Sequence, residues 1–186
     1  MQAAVADQAL FGRWVRLEPL SALSSAEATS LMTRSDTIGQ LVLSSPPPES
    51  CGRFVPVFCV RARRDGSCVG LAANWEVFGY PDVAEIGLYV QRPGLGLEAW
   101  VLDMTYLFSH GAHKCLLEVV DGNDSVLRPF QKLGLRPQAW LSEHAYAAGQ
   151  FRDVAVYSMT ADEWSTLTSS NHALARLAAS IGGASF

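Results

Sequence analysis

Residues 83–110 constrain the fold more tightly than any other stretch. From Val83 to Val90 the chain alternates. Ala84, Ile86, Leu88 and Val90 fall on one side, and Glu85, Gly87 and Tyr89 on the other. That is the two-residue period of a strand. The segment Gln91-Arg92-Pro93-Gly94-Leu95-Gly96 follows, a glycine-rich turn. Leu95 to His110 then reads as a helix with apolar residues on nearly every face; its polar positions gather around Glu98, Thr105 and Ser109. A helix of this kind has to be buried on most sides, against a sheet. The turn joining the two is a ready anion site, because free N–H groups and the helix dipole both favour negative charge there. It is not a Walker loop, since no Gly-Lys-Ser/Thr follows, and the third glycine of a dinucleotide fingerprint is missing.

The flanking segments extend this into a mixed sheet. Trp14–Glu18 alternates as a strand. Leu20 to about Thr33 reads as a helix with Ser21 as its cap, and 36–43 as a second short helix. Ser44-Ser45-Pro46-Pro47-Pro48-Glu49-Ser50 is a loop, since its prolines bar helix and central strand. Phe54–Arg63 and Cys68–Phe78 form a hairpin around Asp65-Gly66. Lys114–Val120 is a strand. Val126, Leu127, Phe130 and Leu133 recur at helical spacing up to Gly134. Two strands follow at about Arg136–Leu141 and Phe151–Met159, then one helix from Asp162 to Ser180. The expectation is one α/β (α+β) domain over 1–186, with its core at 13–165 and a terminal helix and tail at 166–186. Its sheet has about seven mostly antiparallel strands, with helices on both faces.

Composition excludes several functions. With 186 residues, 49% hydrophobic and 17% charged, the chain can bury a real core and is not globally disordered. A net charge of −4 and the absence of a broad basic arm argue against duplex nucleic acid as a partner. The dense run Arg61-Ala62-Arg63-Arg64 reads as charge decorating a solvated turn. Cys51, Cys59, Cys68 and Cys115 form no Cys-x-x-Cys pair and have no histidine at ligand spacing, so no metal site is expected. Cys59 and Cys68 read as small hydrophobes. No apolar run approaches a membrane span and no signal peptide is evident, which makes the cytoplasm the expected compartment. The apolar balance leans toward a homodimer.

Several phrases in this order resemble the GNAT acyltransferases, in particular the branch with ribosomal-protein and antibiotic N-acetyltransferases. Gln91–Gly96 fits their Q/R-x-x-G-x-G/A motif. Glu98-Ala99 matches the Glu-Ala inside the following helix. Asn123 stands eleven residues before Gly134 of Lys132-Leu133-Gly134-Leu135. Gly149-Gln150-Phe151-Arg152-Asp153-Val154 resembles a late strand entry, and Ala161-Asp162-Glu163-Trp164 a closing helix. The resemblance spans roughly residues 13–165.

It implies a pantetheine thioester donor, acetyl-CoA or another acyl-CoA by default, and an amine acceptor on a small molecule or peptide. The turn, with Gln91, Arg92, Gly94, Leu95, Gly96 and Leu97, would hold the pyrophosphate. Leu88, Tyr89 and Val90 would pair with the pantetheine arm as an added strand. Asn123 would bond the arm from the other side, beside Phe130. The attacking amine must be neutral, so a base is needed; Glu85 is the first candidate and Glu76 the second. Trp75, Tyr89, His144 and Tyr146 are candidates for the acceptor site, the last two on a late loop. His110 and His113 read as helix-end residues.

Three departures bear on the chemistry. Phe130 and Val126 stand where relatives carry a tyrosine and a serine that protonate the leaving thiolate; Ser125 is one residue off. Pro129 inside the helix pattern predicts a late helix start near Ser125, or a kink. The turn is shorter than in typical relatives, and Pro93 has no N–H to offer a phosphate. A donor on an acyl carrier protein, with a phosphopantetheine arm but no ADP, would tolerate that. A non-catalytic ligand- or partner-binding domain is the remaining alternative.

Overall fold

A computed structural model describes residues 9–19, 26, 57–77, 79–147 and 149–179. The helices expected over Leu20–Thr33 and 36–43 lie outside them, apart from Ala26. The elements are β1 (Leu10–Phe11), β2 (Val15–Pro19), β3 (Val57–Ala62), β4 (Cys68–Val77), β5 (Tyr80–Val90), α1 (Gly96–Ser109), β6 (Lys114–Val120), α2 (Asp124–Lys132), β7 (Ala139–Ala147), β8 (Gln150–Thr160), α3 (Ala161–Ser170) and α4 (His172–Ala179). Eight strands form one sheet in the order β1-β2-β3-β4-β5-β6-β8-β7. Every neighbouring pair is antiparallel except β5 and β6. That exception follows from α1, which carries the chain back to the same end of the sheet.

α1 is the centre of the core. Glu98 through Leu107 are all buried, as its all-round apolar character requires. Ala84 and Ile86 of β5 pack with it, and so do Phe58, Val60 and Ala72 of the preceding hairpin. Trp100 meets Phe130 of α2 in a tilted contact at 5.0 Å and Trp164 of α3 edge-on at 5.3 Å. Thr160 and Glu163 close a capping box on α3. Asn171 ends that helix in an extended conformation, so the single terminal helix expected from Asp162 to Ser180 is two helices.

Several other expectations change. β1 adds an eighth strand, too short to carry a sequence pattern. β5 starts at Tyr80, β7 runs to Ala147, and His144 and Tyr146 therefore sit on a strand, not a loop. α2 begins at Asp124, one residue from the start expected near Ser125, with Pro129 inside it. The carbonyl that Pro129 cannot serve belongs to Ser125, which is exposed, so water can take that place. Arg61 is no surface decoration: it is 9% exposed, pairs with Glu18 and donates to the Gly66 carbonyl at 3.1 Å. Arg63 donates to the Gly12 carbonyl at 2.6 Å. Cys59 and Cys68 are joined as a disulfide, because the tight β3–β4 hairpin brings their Cα atoms within 6.4 Å. Cys115 is free and buried.

The acid of the Glu98-Ala99 pair has a structural place. Its carboxylate is 1% exposed and accepts the backbone N–H groups of Arg13, Trp14 and Val15 at 2.6, 2.7 and 2.8 Å. These three N–H donors meet its oxygens at the first turn of the helix. The bond set pins the entry of β2 onto α1. It also explains Gly12: a Cβ there would lie 2.8 Å from the Glu98 carboxyl carbon.

Candidate active site

The candidate site begins where β5 and β6 stop pairing. They are in register from Val83↔Lys114 to Ile86↔Leu117 and no further, although β5 runs on to Val90 and β6 to Val120. On their outer edges both remain paired, β5 to β4 as far as Val90↔Gly70 and β6 to β8 as far as Val120↔Val154. The sheet is therefore opened into a V between these two strands alone. Beyond Ile86↔Leu117 the two strands no longer pair with each other, a geometry that suits a ligand able to pair like a strand.

A cavity of about 180 Å³ fills the V. Leu88, Tyr89 and Val90 line one side, Glu118 and Val119 the other, and Leu117, Trp100 and Phe130 the base. Arg92, Pro93, Gly94, Gly96 and Leu97 close one end, and Asn123, Ser125, Val126 and Pro129 of α2 the opposite flank. The N-terminus of α1 opens here without a side-chain cap. Gly94 has φ +84°, a conformation that favours glycine and that turns the chain into the helix. Arg92 reaches away to the β3–β4 turn, donating to Asp65 Oδ2 and to Ser67 Oγ at 3.1 Å each. Hydrogen bonds from Ser67, and then Arg92, hold the pKa of the Asp65 carboxyl down at about 2.

Most of the expected donor residues converge: Leu88, Tyr89, Val90, Arg92, Gly94, Gly96, Leu97, Asn123 and Phe130 all line the cavity, whereas Gln91 and Leu95 do not. Asn123 precedes α2, and its Oδ1 accepts from Ser125 Oγ at 2.6 Å. Phe130 is 3% exposed and wedged between Trp100 and Tyr157, the latter at 5.1 Å.

The candidate bases separate. Glu76 faces Ala84 in the β4–β5 register and Glu85 faces Trp75, so the two acids lie on opposite faces of the sheet. Trp75 Nε1 donates to Glu85 Oε2 at 2.8 Å. Tyr146 pairs edge-on with Phe151 at the β7–β8 hairpin and does not line the cavity. His110 is a helix-end residue, stacked on Tyr106 at 4.0 Å.

Glu118 was not anticipated from the sequence. It lines the cavity, and its Oε2 is buried with no hydrogen-bond partner among the described residues. Its pKa is raised, first by burial and then by the charge of Glu85, with His144 opposing. The signal was present in β6: a single carboxylate within the apolar run Lys114-Cys115-Leu116-Leu117-Glu118-Val119-Val120. A half-buried acid in such a strand is costly unless it has a task. Among the described residues no cluster of His, Cys, Asp and Glu could hold a metal ion, and no helix is long and apolar enough to cross a membrane.

No family model matches the sequence, and no curated protein matches it. Solved structures do. A GCN5-related N-acetyltransferase from Brucella melitensis is 25% identical, with a TM-score of 0.65 over 89% of this chain and 84% of that one. A spermidine N-acetyltransferase from Vibrio cholerae, in complex with CoA and spermine, is 16% identical, with a TM-score of 0.64 over 81% of this chain and 98% of that one. A ribosomal-protein-S5-alanine acetyltransferase from Vibrio fischeri is 13% identical, with a TM-score of 0.61 over 85% and 99%. The fold is that of the GNAT acetyltransferases.

Proposed function

We propose that this protein is an N-acyltransferase that moves an acyl group from a pantetheine thioester, acetyl-CoA by default, to an amine of a small molecule or peptide. The observation that carries the reading is the parting of β5 and β6 after Ile86↔Leu117, beside an uncapped helix N-terminus. A pantetheine arm carries two amides and can pair with strand edges opened in this way. The structural neighbour bound to CoA and spermine supports both halves of the reaction class.

Glu118 is the group best placed to act as the base. It borders the cavity, and burial raises its pKa, which makes it a better acceptor for the proton of an incoming ammonium. Glu85, held by Trp75, keeps negative charge near Glu118 and so strengthens its basicity. The neutral amine then attacks the thioester carbonyl. The C–N bond forms, the C–S bond breaks, and the proton the nitrogen then sheds passes to water, since Glu118 already holds the first. An N–H on the open edge of Gly87–Val90 would stabilise the oxyanion. Phe130 has no proton to give, so the thiolate leaves unaided and takes its proton from water. Tyr89, which lines the cavity, is our acceptor-side residue; Trp75, which holds Glu85, and His144, whose charge reaches Glu118, lie outside the lining.

A second reading, a donor on an acyl carrier protein, is favoured by two observations. Pro93 lacks an N–H, and Arg92 is already engaged by Asp65 and Ser67. Acetyl-CoA and an acetylated carrier should each be titrated against the protein, and thiol release followed with a panel of amines. A donor that binds with no turnover for any amine would favour a ligand-binding domain; failure of every pantetheine donor to bind would sink the acyltransferase reading.

A further inference from the structure

The donor end of the cavity is poor in charge. Of the residues that line the cavity, only Arg92 and Glu118 carry charge, and Arg92 is the one at the helix N-terminus where phosphates would lie. Its guanidinium is turned to the β3–β4 turn. Nη1 meets Asp65 Oδ2 and Nη2 meets Ser67 Oγ, at 3.1 Å each. Asp65 is fixed in turn by the Ser67 N–H at 3.0 Å and the Ser67 hydroxyl at 2.6 Å. One tight turn thus supplies the carboxylate, the hydroxyl and the backbone that orient both. Asp65 is ionised at any physiological pH, so the Asp65–Arg92 pair has no net charge. A polyphosphate arriving at Gly94–Gly96 meets helix-end N–H groups, a proline without one, and a cation already neutralised.

We propose that Asp65 is a specificity-determining residue for the donor: by neutralising Arg92 it withholds charge from the nucleotide end and leaves recognition to the pantetheine arm. This rests on the donor reading given above and narrows it to thioesters recognised without their ADP, the class to which a carrier-borne phosphopantetheine belongs. Like charge adds to the effect, since a phosphate that reached Arg92 would also approach the Asp65 carboxylate.

Calorimetry with CoA and with pantetheine, on wild type, Asp65→Asn, Arg92→Ala and the double variant, tests it. The amide introduced by Asp65→Asn keeps an oxygen to accept from Ser67, so the turn survives. Wild type should bind pantetheine nearly as well as CoA, and Arg92→Ala, which leaves Asp65 unpaired, should weaken CoA by no more than about two- to fivefold and leave pantetheine unchanged. Asp65→Asn should tighten CoA by about two- to fivefold at low salt, the range an exposed ion pair allows. High salt should erase the gain, pantetheine should be unaffected, and adding Arg92→Ala should remove the gain. The proposal is overturned if Asp65→Asn leaves CoA binding unchanged or weaker, or if Arg92→Ala alone weakens CoA by about tenfold. Those results with normal pantetheine binding refute the role of Asp65 only. If neither compound binds wild type, the donor reading falls and this inference with it.

Discussion

The buried pair of Asn74 and Asp103 makes the sharpest stability prediction. Asp103 of α1 is 0% exposed and Asn74 of β4 is 1% exposed. Asn74 Nδ2 donates to Asp103 Oδ1 at 2.7 Å. Asn74 Oδ1 and Asp103 Oδ2 are both buried without a partner among the described residues. Two orphan acceptors side by side lack one proton, and a proton on Oδ2 would satisfy both through a cyclic acid–amide pair. Burial raises the Asp103 pKa from 3.8 to about 7 against the lowering effect of Asn74. The titratable groups that feel its charge are Tyr106 on the same helix and Cys115 on β6, both pushed upward, first by their own burial and then by Asp103. Because the folded value lies above the unfolded one, this group's stabilisation is complete below 3.8. It is lost as pH rises through the folded value near 7. Across that window wild type loses up to about 1.4 kcal/mol per pH unit, on the order of 4 kcal/mol in all. Asp103→Asn replaces the acid with an amide that can make the same reciprocal pair and never ionises. Urea unfolding of both proteins from about pH 4.5 to about pH 8.5 should give similar stabilities at the acid end, with the variant ahead by several kcal/mol at the alkaline end. A difference that does not change with pH, or a variant less stable throughout, would refute the neutral-acid reasoning.

Other expectations are equally direct. Glu118→Gln should lower kcat by about 10²- to 10⁴-fold with little effect on donor affinity, measured by turnover and calorimetry. In wild type the acidic limb of kcat/KM should lie above the ordinary carboxylate range, since the raised Glu118 must lose its proton to act. Glu98→Ala strands one buried and two part-buried N–H groups and should cost about 2–3 kcal/mol in denaturant unfolding, without selectively affecting the amine. Gly12→Val should destabilise for the same reason seen from the other side, and the same unfolding assay reads it.

The frame of the fold was legible because its signals are local. The alternation of Val83–Val90, the turn at Gln91–Gly96 and the all-round apolar helix fix a strand, a reversal and a buried helix whatever the rest of the chain does. Two features escaped because they are set by neighbours. The two-residue strand β1 exists only through its partner residues Arg16 and Leu17. The disulfide between Cys59 and Cys68 likewise depends on the register of a hairpin that was itself legible, and spacing alone does not determine register. Pro129 marked the start of α2 to within one residue, and the carbonyl that its ring leaves without a donor belongs to Ser125, an exposed residue.

The site divides along a similar line. Backbone-determined parts were readable, since a glycine at φ +84° and a helix N-terminus leave a trace in residue type. Acids did not sort by type. Glu98 sits in a recognisable phrase, yet its carboxylate is spent on the N–H groups of Arg13, Trp14 and Val15 and faces no ligand. Glu76 and Glu85 lie nine residues apart on paired strands, and only the register shows them on opposite faces. Glu118 belongs to no phrase at all, but it alone among these acids borders the cavity with a buried, unpartnered oxygen. A carboxylate's role is set by what it is denied as much as by where it stands: three donors make Glu98 a structural pin, and the lack of any leaves Glu118 able to take a proton. The turn at Gln91–Gly96 obeys the same logic. Its glycines announce the scaffold, while Asp65, twenty-seven residues away from Arg92 in sequence, decides how much charge it can offer.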